Sequence, residues 1–234
     1  MMETPKANKS DRTHSAIKAV LNCIPYVGGG IAEIFNSIVI PSVEKRRIKW
    51  MEEVGSLLER LEANQDGIVN KLMHDEEFIS LLILASINAY KTHLEEKYKM
   101  FKSVLSNSIG NDILFDVKQI FLNFVDELTV SHIKVLYFIF NNEVYMKCSN
   151  DYQKIYDIWK MTESIEKINL TTFKYLLEDL GGKGLLIISD DMQEIGNQVY
   201  QSSYITVEGD DNIENLPFIK ISELGITFLS FIKD

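Results

Sequence analysis

Between Ala19 and Val43 the chain carries a single charged side chain, Glu33, and this stretch limits what the protein can fold into more than any other part of it. About 25 apolar and small uncharged residues, roughly 37 Å if helical throughout, are enough to cross a bilayer. Three consecutive glycines, Gly28, Gly29 and Gly30, lie in the middle, and Pro25 precedes them. Each glycine costs a helix about 1 kcal/mol relative to alanine, and Pro25 breaks or bends it. Two conformations follow. In water, Ile17 to Pro41 forms a Gly-rich apolar hairpin of two short helices, Ser15 to Ile24 and about Gly29 to Ile40, buried against the rest of the chain. In lipid the same residues straighten, with Gly28 and Ala32 as a small-residue face for helix contact and Glu33 turned to a partner or a wet lumen. The insertion and hinge residues of that second form are Pro25, Gly28, Gly29, Gly30, Ala32, Glu33, Phe35 and Pro41.

Directly after the stretch come Lys45, Arg46, Arg47 and Lys49. A basic turn on a solvated helix face has this appearance, and so does a polybasic flank that meets anionic headgroups, each cation contributing about 1 kcal/mol. The remainder has an ordinary globular composition, 46% hydrophobic and 25% charged, which confines expected disorder to a polar tail at residues 1–14. That tail has no cleavable leader pattern. Two cysteines, Cys23 and Cys148, suggest neither a disulfide framework nor a metal site and point to a reducing cytoplasmic interior.

Read in order, Ser42 to Ala63 forms an amphipathic helix capped by Ser42, with Val43, Ile48, Met51, Val54, Leu58 and Leu61 on its apolar face. Gly67 ends it. The uncharged run Phe78 to Tyr90 is too short to span a membrane and reads as a central bundle helix that continues to about Ser106. Asp112 to Val125 gives one more helix, with Ile113, Val117, Ile120, Phe121 and Phe124 inward. A helical domain over 15–126 results.

From residue 127 the pattern changes to helices at Thr129–Phe140, with Thr129 or Ser131 near its cap, Ile155–Met161, and Asn169–Leu180, capped by Asn169, then strands at Leu185–Ile188, Tyr204–Val207 and Phe218–Ile221, and a closing helix with Leu224, Phe228 and Ile232 inward. Three helices, a small wing and a last helix is the order of a winged-helix domain. The fold class expected is therefore mainly α: an N-terminal helical bundle followed by a winged-helix α+β domain at 127–234. DNA is an unlikely partner for it. Seventeen acids stand against nine lysines from Glu127 to the end, a difference of −8 within a chain of net charge −10. Duplex binding draws its affinity from cations on phosphates. Lys174, Glu178 and Asp179 on the third helix, with Asp210 and Asp211 in the wing, are read instead as a protein-binding surface.

The I-P-x-V-G-G segment (Ile24, Pro25, Val27, Gly28, Gly29), the KYKMFKSVLSNSI helix, the DELTVSHIKVLYF helix and the terminal ELGITFLSFI together resemble a broad group of bacterial proteins. Some of these are called abortive-infection alpha-like, and related genes lie among phage-defence genes. The similarity covers most of the chain. It implies a winged-helix tail and a defence role, and it carries over no catalytic residue.

Enzyme chemistry finds little support. His14, His74, His93 and His132 have no ligand spacing, and Gly181-Gly182-Lys183-Gly184 is a helix stop, since a phosphate loop needs Ser or Thr after its lysine. The acidic run Glu208 to Glu214 lacks the central glycine and distal glutamate of a calcium loop. No catalytic residue, cofactor or metal is expected. The reading that results is an anti-phage effector, cytoplasmic when inactive, which a phage protein triggers to assemble as a homo-oligomer and permeabilise the inner membrane. The alternative is a non-enzymatic winged-helix regulator or protein-binding adaptor.

Overall fold

The computed structural model describes residues 9–24, 33–110, 112–142, 152–163, 168–189 and 218–233. The fold is mainly helical with one two-stranded antiparallel sheet, and it divides into two compact units, Met1–Glu127 with Phe231–Asp234, and Leu128–Ser230. The expected third strand, Tyr204–Val207, lies outside the described residues, as do Pro25, Gly28, Gly29, Gly30, Ala32, Asp210 and Asp211.

In the first unit α1 spans Lys9–Asn22, so residues 9–14, expected to be disordered, are helical. Ile17, Val20 and Ile24 are buried as α1 packs against α2 (Glu33–Asn64) and α3 (Ile68–Leu72), and the turns anchored by this stripe extend the helix toward its N-terminus. Helix α2 is continuous for 32 residues. Pro41 lies inside it, and Ser42, expected to cap a new helix, is an interior residue. A proline removes one backbone bond and bends a helix, and a helix held along its length tolerates this better than a short one. What holds it is Trp50, Val54, Leu57 and Leu58, all fully buried. That stripe is rotated from the expected one: Val54 and Leu58 belong to both, but Ile48 is 49% exposed and Trp50 takes the inner position.

Gly67, at φ 77°, adopts the left-handed conformation that starts α3 without a side-chain penalty. Asp75 then caps α4 (Glu76–Lys91), its carboxylate accepting from the amides of Glu77 and Phe78 at 3.0 and 3.1 Å. Helix α4 packs against α2, α5 (Glu95–Asn107) and α6 (Phe115–Glu127), burying Phe78, Leu81, Leu82, Ala85 and Ala89. It stops at Lys91 instead of running to Ser106. Thr92 is extended (φ −104°, ψ 155°), and its hydroxyl accepts from the Leu94 amide at 3.1 Å, an alternative to the helical bond that β-branched Thr favours. Tyr98, Phe101, Val104 and Leu105 fill the inner face of α5; Phe121, Leu122 and Val125 fill that of α6, where Ile120 is exposed rather than inward. The C-terminal residues of this unit close against it: Phe231 meets Phe121 at a ring separation of 5.0 Å, and Asn107 donates to the Phe231 carbonyl at 3.0 Å.

The second unit contains α7 (Val130–Asn141), α8 (Tyr152–Glu163), α9 (Leu170–Gly182), β1 (Leu186–Ser189), β2 (Phe218–Ile221) and α10 (Glu223–Ile232) up to Ser230. Helix α9 is capped by Asn169, as expected, with a 2.8 Å bond from the Thr172 amide. It packs against α7, α8 and β1. The strands pair Leu186 with Ile221 and Ile188 with Ile219. Tyr156, Trp159 and Phe173 form an aromatic cluster, with Trp159 and Phe173 centroids 4.9 Å apart. Ser222 joins the sheet to α10: its hydroxyl accepts from the Gly225 amide at 2.9 Å and donates to the Gly184 carbonyl at 2.6 Å.

Candidate functional site

The basic run on α2 is where candidate functional residues and unexpected contacts meet. Arg46 Nη1 donates to the carbonyl oxygens of Tyr90 at 2.8 Å and Lys91 at 3.4 Å, the last turn of α4. Terminal helix carbonyls have no intrahelical partner and carry the negative end of the dipole, so a cation there contributes roughly 0.3–1 kcal/mol. Arg47 is bonded to Glu44 at 3.0 Å and lies beside the Tyr90 hydroxyl, whose pKa burial pushes up while Arg47 acts in the opposite direction. Lys49 Nζ donates to Glu95 Oε1 at 2.5 Å and sits 5.6 Å from the Tyr98 ring centroid. Lys45 is exposed. Three of the four expected headgroup-binding cations are therefore engaged within the first unit, and a fifth cation, Lys102 on α5, pairs with Glu53 on α2 at 2.5 Å.

The burial of α2 changes along its length. From Trp50 onward the helix is fixed by four fully buried apolar side chains, each contributing about 1.5–3 kcal/mol. The preceding segment owes its described attachments to charged side chains. The bond to Lys49 holds the Glu95 carboxyl below its ordinary pKa of 4.5, and the same bond raises Lys49 above 10.5. A carboxyl whose pKa is lower in the folded state stabilises the fold above its unfolded pKa, and this is lost as pH falls through the folded value. The thermal midpoints of the wild-type protein and Glu95→Gln are thus expected to differ at neutral pH and to converge in acid. A difference that persists at low pH would contradict the assignment.

Glu33, Phe35 and Pro41 all lie on the first three turns of α2. Among the described residues no helix is long and apolar enough to cross a membrane: the stretch from Ala19 to Val43 is shared between the end of α1 and the start of α2.

A concave feature of about 340 Å³ lies where the N-terminus of α4 faces the α5–α6 connection, its lining including Asp75, Glu77, Phe78, Leu81, Asp112 and Lys118. Lys118 is buried, with Glu77 Oε2 at 4.0 Å. Three carboxylates around one cation disfavour an anionic ligand, and Asp75 is already used by the α4 cap. Among the described residues no three His, Cys, Asp or Glu side chains are grouped to hold a metal.

In the second unit, Lys174 lies 5.1 Å from the Tyr152 ring centroid, Glu178 is exposed and Asp179 faces His132. His132 completes a capping box on α7: its amide donates to Thr129 Oγ1, and its Nδ1 accepts from the Thr129 amide at 3.1 Å. An accepting Nδ1 places the proton of the neutral ring on Nε2, which lies 3.3 Å from Asp179 Oδ2. The histidine therefore brings the start of α7 close to α9. The Thr-x-x-His spacing was a readable signal, although Glu or Gln is the usual residue at its fourth position. Comparison with known proteins finds no match among protein-family models, curated proteins or solved structures.

Proposed function

We propose that the chain is a non-enzymatic bacterial anti-phage effector of the abortive-infection kind, held inactive in the cytoplasm. Its apolar N-terminal stretch and basic flank are stored against the helical body. A phage protein, recognised by the acidic C-terminal unit, releases them; several copies then act together on the inner membrane, with Glu33 lining the opening. One observation supports this reading above others: Ile17, Val20 and Ile24 are packed on α2 and α3 while Arg46 and Lys49 are bonded to α4 and α5, so both parts of a membrane-acting segment have a storage site on the first unit. The resemblance to abortive-infection alpha-like proteins supports it independently.

In cells challenged with phage, Gly28→Leu and Glu33→Leu are expected to abolish protection while protein levels stay unchanged. Full protection by both variants would remove the mechanism. A winged-helix adaptor is the second reading, favoured by the order α7, α8, α9, β1, β2, α10. Under it, α1 and the following residues are permanent core and expression never harms the cell. Retention on duplex DNA at low salt is expected under neither, because Lys174 lies over Tyr152 beside Glu178 and Asp179.

A further inference from the structure

We infer that Arg46 and Lys49 form a releasable clasp: their bonds to the last carbonyls of α4 and to Glu95 of α5 hold the first half of α2 to the body, and an anionic lipid surface opens it by competing for the same cations. This rests on the membrane-effector reading and adds its regulation. The geometry carries it in three steps. First, the cations and their acceptors come from different helices, Arg46 reaching Tyr90 and Lys49 reaching Glu95, so the bonds join elements rather than decorate one. Second, the clasp lies immediately before Trp50, where the fully buried stripe of α2 begins, so the segment that precedes Trp50 can loosen without disturbing the core once Arg47, which also faces Tyr90, leaves with its neighbours. Third, the Lys49–Glu95 bond joins solvent-exposed charges and is weak and salt-screened, as a releasable contact must be, Arg46 adds a part-buried bond to a carbonyl, and a lipid surface offers many acceptors at once. A cation bonded to Glu95 or a helix carbonyl has part of its charge and donor capacity already taken, so storage and membrane binding compete for it. Lys45, exposed beside them, supplies the first contact.

The test uses the full-length protein, amide exchange, and vesicles of phosphatidylcholine alone or mixed with phosphatidylglycerol. Glu95→Lys removes the acceptor and repels Lys49. Glu96→Lys makes the same change in net charge on the neighbouring exposed residue and leaves the Lys49–Glu95 bond in place. Glu95→Lys is expected to exchange faster over residues 42–49 with 50–64 unchanged, and to bind the mixed vesicles about fivefold more tightly than Glu96→Lys, the contribution of one released lysine, Lys49, at an anionic surface. Neither variant is expected to bind phosphatidylcholine alone. Arg46→Gln with Lys49→Gln opens the same segment but binds the mixed vesicles more weakly than wild type. Unchanged exchange over 42–49 in Glu95→Lys, or equal binding by the two lysine variants, would overturn the clasp. The two proposals fail separately. Dye leakage by wild-type protein with infected-cell lysate, alongside equal vesicle binding, removes the clasp and leaves the effector; faster exchange and tighter binding without leakage under any condition removes the effector and leaves the clasp.

Discussion

Trp50→Ala is expected to destabilise the first unit by about 3–5 kcal/mol, enough to unfold a domain of ordinary stability at physiological temperature. Trp50 is fully buried, stacked on Tyr98 at 6.2 Å and meeting Phe101 edge-on at 6.4 Å, so its removal opens a cavity at the junction of α2 and α5. It also carries the buried polar link of this region, its Nε1 donating to Ser86 Oγ at 2.8 Å while the Ser86 hydroxyl donates to the Leu82 carbonyl at 2.6 Å. Ser86→Ala leaves the indole donor buried and unpaired, at a cost of about 1–3 kcal/mol. Trp50→Phe removes that donor, so the double variant Trp50→Phe/Ser86→Ala is expected to lose less than the two single changes added together. Urea unfolding curves for the four proteins measure this directly. Strict additivity would mean that the hydrogen bond contributes nothing.

Alanine at position 225 is expected to destabilise the second unit by about 1–3 kcal/mol, the usual penalty for forcing atoms into a packed core. A Cβ there meets the Leu185 carbonyl oxygen at 2.3 Å and Ile221 Cγ1 at 2.8 Å. Neither neighbour moves freely. The Leu185 carbonyl accepts from the Ser222 amide, the Leu185 amide donates to the Leu180 carbonyl, and Ile221 is paired with Leu186 in the sheet. Gly182→Ala is the control. Nothing lies within 4 Å of its Cβ, and alanine in the last turn of α9 is expected to stabilise by about 0.4–1 kcal/mol. Thermal unfolding distinguishes the pair by sign, and amide exchange over residues 128–230 locates the loss. Equal midpoints for Gly225→Ala and wild type would show that α10 does not approach Leu185 this closely.

Much of the helical layout was legible because it rests on local chemistry. Asn169 caps α9, Thr129 caps α7, and the uncharged run at Phe78 becomes a helix packed against three others, each following from residue type and spacing within one turn or one face. The phase of α2 was less legible. Counting apolar residues selects Ile48 and Met51, whereas the inner position belongs to Trp50, whose partner Ser86 is 36 residues away. Helix limits are least legible where a local rule is overruled or a local competitor intervenes: Pro41 lies inside α2 instead of ending it, and Thr92 stops a helix that its neighbours favour. The basic run shows the limit most clearly. Its composition suits a solvated turn, or less readily a headgroup flank, and its actual partners, Tyr90 and Glu95, lie 44 and 46 residues further along. Non-local pairs of this kind follow from the packing of α2 on α4 and α5, which one sequence does not display.

Dye leakage from phosphatidylglycerol-containing vesicles tests most directly the proposed action of the stretch Ile17 to Pro41 on a membrane. The purified protein is assayed alone and with lysate from phage-infected cells, beside a variant lacking residues 1–41. The account predicts leakage only when lysate and the N-terminal residues are both present. No leakage from the intact protein under any condition, or equal leakage from the truncated variant, would contradict it.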